Sequence, residues 1–119
     1  MIRTMIGLAA VCAVGAGAAS PASAVVPSEL TLTYQAKAVD LTCDPAGGDH
    51  PHARQACTVL RGIGGDPKRL KSGDSFCFLL YAPVTARLKG TWRGRSVTWE
   101  RTYGNSCEMA RATGVLFRF

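Results

Sequence analysis

Cys43, Cys57, Cys77 and Cys107 limit what this chain can fold into more than any other feature. The chain is 119 residues long and carries five cysteines in all. The fifth, Cys12, lies in a stretch that reads as a secretory leader. Arg3 gives a positive start, Met5–Ala19 is an apolar run of small residues, and Ala22-Ser23-Ala24 matches a small-x-small cleavage site. A membrane anchor is the weaker reading, because a spanning helix needs about 20 strongly apolar residues. Val11 before Cys12 also fits a lipid-attachment site poorly. Residues 1–24 are therefore expected to be a signal peptide, with Val25–Phe119 exported as one soluble domain without a membrane anchor. An even set of cysteines in a secreted domain reads as two disulfides. Four cysteines allow three pairings, and spacing alone does not choose among them, although the nearest-neighbour pairing is the simplest. A domain of roughly this size buries only about 60–65% of its unfolded surface, so such staples matter.

The same cysteines do not suggest metal. No CxxC pair occurs, and the two histidines, His50 and His52, sit in a Gly/Pro-rich loop, so neither a zinc site nor any cofactor is expected. The formal net charge of +6, one less without Arg3, would suit an anionic partner. Yet the Lys and Arg residues are scattered, and the one cluster, Lys68, Arg69 and Lys71, reads as a solvated loop. No nucleic-acid partner is expected. Hydrolytic chemistry would need a positioned His beside a nucleophile. With the histidines confined to that loop, the chain is not expected to be an enzyme.

Period-2 patterning runs through most of the chain. Leu30, Leu32, Tyr34 and Ala36 alternate with polar residues, as do Val39, Leu41 and Cys43. Asp44–Pro51 reads as a loop. A helix is expected from near Pro51, with Ala53, Ala56, Cys57 and Leu60 on one face and Gly62, Gly64 and Gly65 ending it. Val84–Gly90 and Val97–Tyr103 form a hairpin around Arg93-Gly94. Asn105 and Glu108 have capping-box spacing, so a second helix starts there and stops at Gly114. Val115, Phe117 and Phe119 alternate and read as a last strand. The fold class is α+β: an antiparallel sheet with two helices on one side.

One segment stands apart, Phe76-Cys77-Phe78-Leu79-Leu80-Tyr81-Ala82-Pro83. Its apolar run reads equally as a buried central strand, which periodicity does not exclude. Two features argue for an exposed loop. Polar Lys71–Ser75 precedes it, and Pro83, badly placed in a central strand, closes it.

From Leu30 onward the chain resembles the subtilisin inhibitor-like family of secreted bacterial serine protease inhibitors. The resemblance rests on LTC at Leu41–Cys43, GGD at Gly64–Asp66, the Cys77–Val84 segment, W-x-G-x-x-V at Trp92–Val97, Glu100-Arg101, CEM at Cys107–Met109 and V-x-F-x-F at Val115–Phe119. It implies a five-stranded antiparallel sheet with two helices, disulfides Cys43–Cys57 and Cys77–Cys107, and a homodimer formed through the sheets. It implies a reactive bond between Leu79 and Leu80, with Phe76, Cys77, Phe78, Tyr81, Ala82 and Pro83 as the loop that touches the protease. Extracellular, subtilisin-like serine proteases are the implied partners. Phe78 stands where the family often has Pro, and Ala82 where it often has Asp. These departures leave an alternative: the same fold serving as a secreted binding or transglutaminase-substrate protein.

Overall fold

Alternation sets the sheet, and the sheet sets everything else. A computed structural model describes residues 10–12, 15, 17 and 26–119. The expected leader cleavage site after Ala24 lies outside the described residues. Strands β1 (Ser28–Tyr34), β2 (Lys37–Cys43), β3 (Gly47–Gly48), β4 (Val84–Trp92) and β5 (Arg95–Tyr103) form one sheet in the order β3-β2-β1-β4-β5. All neighbours are antiparallel. Residues paired across a ladder point to the same side. Leu30 lies opposite Leu41, Leu32 opposite both Val39 and Leu88, and Val84 opposite Tyr103. That face is buried, whereas Thr31, Arg87, Lys89, Glu100 and Thr102 stand on the exposed one. Arg93 and Gly94, both at positive φ, make the two-residue turn between β4 and β5.

Two helices cover the apolar face. In α1 (Ala53–Gly62), Ala56, Cys57 and Leu60 form the buried stripe. The helix begins two residues after Pro51, which stays in the preceding turn. In α2 (Ser106–Thr113), Asn105 is the N-cap: its side chain accepts a bond from the Glu108 amide at 2.8 Å. Gly114 closes the helix at positive φ. Residues of both helices and of β1, β2, β4 and β5 join in a single core. Leu32 and Leu88 are completely enclosed there, and burial of each contributes about 1.5–3 kcal/mol.

The disulfides are those the resemblance implies. Cys43–Cys57 joins the end of β2 to α1 inside the core, with a Cα separation of 5.6 Å. Cys77–Cys107 joins the loop before β4 to α2, with 5.8 Å between Cα atoms.

The last strand expected at Val115–Phe119 is absent, and the fifth strand is the two-residue β3 instead. The segment from Gly114 is a succession of turns: Leu116 N donates to Thr113 O and Arg118 N to Val115 O. Leu116 and Phe117 are both buried, which a strand with one wet face does not allow. The tail closes the open end of the core. Phe117 packs on Tyr34 and Trp99, and His50 Nε2 donates to Leu116 O at 2.8 Å. His50 Nδ1 accepts from the His52 amide at 2.9 Å. Both ring nitrogens of this buried histidine are thus engaged, one on the tail and the other on the turn that leads into α1.

Candidate functional site

Apolar side chains with nowhere to go inside mark the site. Phe76 is 81% exposed, Phe78 80%, Leu79 101% and Tyr81 86%, and Leu80, Ala82 and Pro83 are exposed as well. The buried-strand reading of this segment is therefore wrong. The reason is local: Pro83 has no N–H to give a ladder, and β4 starts only at the next residue, Val84. Cys77 alone points inward, 8% exposed, because its sulfur is bonded to Cys107 on α2. Phe76 and Phe78 flank it and meet edge to face, ring centroids 5.4 Å apart. Exposed aromatic and aliphatic side chains clustered this way mark a surface made to be covered by a partner.

The loop is exposed yet held. Cys77 is fixed covalently at one end, and Ala82 N donates to Gly104 O at 2.8 Å at the other. Between them, Leu80 N donates to Phe78 O at 2.9 Å, which curls the backbone around Leu79 and turns its side chain fully outward. Asn105, only 7% exposed, supplies the central support. Its Nδ2 donates to Leu80 O at 2.7 Å and to Phe78 O at 3.4 Å, while its Oδ1 caps α2. One amide therefore binds the carbonyls on either side of Leu79 to the start of a helix. Two further contacts steady the approach to the loop: Gly73 N donates to Arg111 O at 2.8 Å, and Arg111, ion-paired with Glu108, reaches Ser75 O.

The structure brings Phe76 and Phe78–Pro83 together on one exposed surface but buries Cys77, which the sequence reading counts in the contact loop, beneath it. Sequence reasoning also misses the second task of Asn105, which reads only as a helix cap. The signal was its place between Tyr103, which ends β5, and Cys107, which is tied to the loop. A hollow of about 490 Å³ beside the loop is bounded by Leu80, Tyr81, Arg101, Tyr103 and Glu108. Burial pushes the Tyr103 phenol above its ordinary value of 10.0, and the nearby Arg101 guanidinium opposes this. No group of three or more potential metal ligands occurs among the described residues.

A family model described as subtilisin inhibitor-like matches residues 18–105. The chain belongs to the subtilisin inhibitor-like family. It is 45% identical over 113 residues to subtilisin inhibitor-like protein 4 of Streptomyces lavendulae, covering 85% of this chain and 97% of that one. It is 42% identical to trypsin inhibitor STI2 of Streptomyces longisporus, covering 86% and 79% respectively. The fold is similar to Streptomyces caespitosus sermetstatin, solved in complex with Bacillus licheniformis subtilisin. The TM-score is 0.70 at 29% identity, over 79% of this chain and all of that one.

Proposed function

We propose that this protein is a secreted inhibitor of subtilisin-like serine proteases, with Leu79–Leu80 as its reactive bond. One observation carries the reading: Leu79 projects entirely into solvent from a backbone that a disulfide, the Ala82–Gly104 backbone bond and the Asn105 amide all hold in place. A protease cleft binds an extended segment by adding it as a strand and reading alternate side chains. Leu79 enters the primary pocket, Phe76 and Phe78 lie on the non-primed side, and Leu80 and Tyr81 on the primed side. A loop fixed before it docks loses little conformational entropy, so affinity reaches nanomolar or better. If the bond is cut, Cys77–Cys107 and Asn105 keep the new amine beside the acyl-enzyme. The resulting high effective molarity favours religation over release.

Phe78 replaces a residue whose ring would fix φ, and the bond from Asn105 to Phe78 O supplies part of that restraint. The outer sheet face, polar and open, is the surface through which two copies pair. Titration of a fixed amount of subtilisin tests the function. A stoichiometric end point supports inhibition, and steady cleavage or no effect refutes it. Sedimentation of the secreted chain tests the dimer, and its mass, expected to begin at Val25, tests export.

A further inference from the structure

β5 is an edge strand of nine residues, and among the described residues nothing pairs with its outer side. Unpaired strand edges present rows of N–H and C=O groups ready for another strand, and proteins usually blunt them. Here the first half of the edge opens into a groove of about 410 Å³. Its other wall is the turn that follows α1. Gly65, at φ +73°, presses there against Trp92 so closely that a Cβ would lie 2.2 Å from the ring. Half-buried Val97 and Trp99 give the groove apolar contact, and Lys68, Arg69 and Arg95 give it charge.

That charge is only partly offset. Among the described residues, none of the three cations makes an ion pair. The single acid in the lining, Asp66, spends a carboxylate oxygen on the Lys68 amide at 3.1 Å. We propose that this groove and the β5 edge form a second docking site, which takes an extended acidic segment of a partner protein. The peptide backbone pairs with Arg95–Trp99, alternate apolar side chains meet Val97 and Trp99, and carboxylates reach Lys68, Arg69 and Arg95. A second copy fits poorly, because β5 carries Arg95 and Arg101 against one Glu100, itself paired with Arg87. A phosphate polymer would meet the cations but leave the strand edge unpaired.

The site is separate from the exposed loop. β4 lies between them: from Val84 beside the loop it is about 13 Å to Leu88, which faces Trp99 at the near end of the groove, and about 27 Å to Trp92 at the far end. An acidic partner held here leaves Phe76–Pro83 free.

The probe is a short blocked peptide alternating Glu with Val, fluorescently labelled, added to the whole secreted chain. Binding is expected to shift the amide resonances of Arg95–Trp99 and Gly64–Arg69 and to slow hydrogen exchange along the β5 edge. Lys68→Glu with Arg69→Glu, both exposed, should weaken binding about tenfold or more with the melting temperature unchanged. N-methylating alternate peptide amides should abolish binding in one register and spare it in the other. Subtilisin titration at saturating peptide should give the same end point as without it. The proposal is overturned by shifts confined to other faces, by binding indifferent to N-methylation in both registers, by short polyphosphate binding as well as the peptide does, or by an altered subtilisin end point.

Discussion

Replacing Leu79 by Lys puts a charge at the most exposed side chain of the loop. Leu79 is 101% exposed, so the fold loses no burial and the ammonium keeps its water. Exposed substitutions of this kind change stability by about 0.5 kcal/mol or less. In a domain this small that corresponds to about 2–4 °C in Tm. The effect on binding is far larger. Trypsin-type proteases have an Asp at the bottom of the primary pocket. A Leu leaves that carboxylate buried and unpaired, and an uncompensated buried charge costs about 3–5 kcal/mol. Supplying the partner should therefore tighten trypsin inhibition by about 10²–10⁴-fold, while binding to enzymes with an apolar pocket weakens. The wild-type chain should inhibit subtilisin well, chymotrypsin less and trypsin poorly. Thermal melting and a trypsin inhibition constant for Leu79→Lys suffice as the assay. A folded variant whose trypsin inhibition is unchanged would show that Leu79 does not enter the pocket. A variant that unfolds would show that the side chain is not free.

The two disulfides should separate in their effects. The loop-entropy contribution is about 3–4 kcal/mol for each, but replacing Cys77 and Cys107 by Ser should turn the inhibitor into a slowly cleaved substrate, whereas replacing Cys43 and Cys57 should mainly lower Tm. Equal loss of inhibition by folded samples of both would contradict this. Asn105→Asp keeps the oxygen that caps α2 but turns the donor aimed at Leu80 O into an acceptor. Because that acceptor is buried against two carbonyl oxygens, Tm should fall, and in samples still folded protease cleavage of the loop should accelerate; unchanged cleavage would remove Asn105 from its supporting role. Because the Tyr103 pKa is raised on folding, the native state holds that proton more tightly than the unfolded chain. Its contribution is intact below about pH 10 and is lost as pH rises through the folded value. Denaturant melts across that range should fall less steeply for Tyr103→Phe, and identical slopes would refute the assignment.

Most of the fold is legible where one physical rule acts alone. Alternation finds β1, β2, β4 and β5, Arg93-Gly94 between two alternating runs marks the turn, and a capping box finds α2. The misreadings arise where local pattern and tertiary packing compete. Val115, Phe117 and Phe119 alternate, but Leu116 between them is also drawn inside, and turns serve that better than a strand. β3 is two glycines with no pattern to see. The Phe76–Pro83 segment is apolar and yet exposed but for Cys77, and composition does not distinguish that from burial in the chain's own core. Resemblance to a family supplied the distinction. The bonds from Asn105 to Phe78 and Leu80 span 27 and 25 residues of sequence, so no local pattern announces them.

The two anchors of the loop also set how far a cut chain could drift. Cys77 is held by its sulfur and Ala82 by its amide, so a break between Leu79 and Leu80 creates two loose ends of only two residues each. Hydrolysis of an ordinary surface loop is driven largely by the freedom it releases, about 1–2 kcal/mol for each residue's backbone. Here the ends are short, and Asn105 still offers its amide to the carbonyls on both sides of the gap. The severed and intact molecules therefore lie close in free energy. Incubating either one with a trace of protease should lead to the same mixture of both, a reversible equilibrium instead of a one-way digestion.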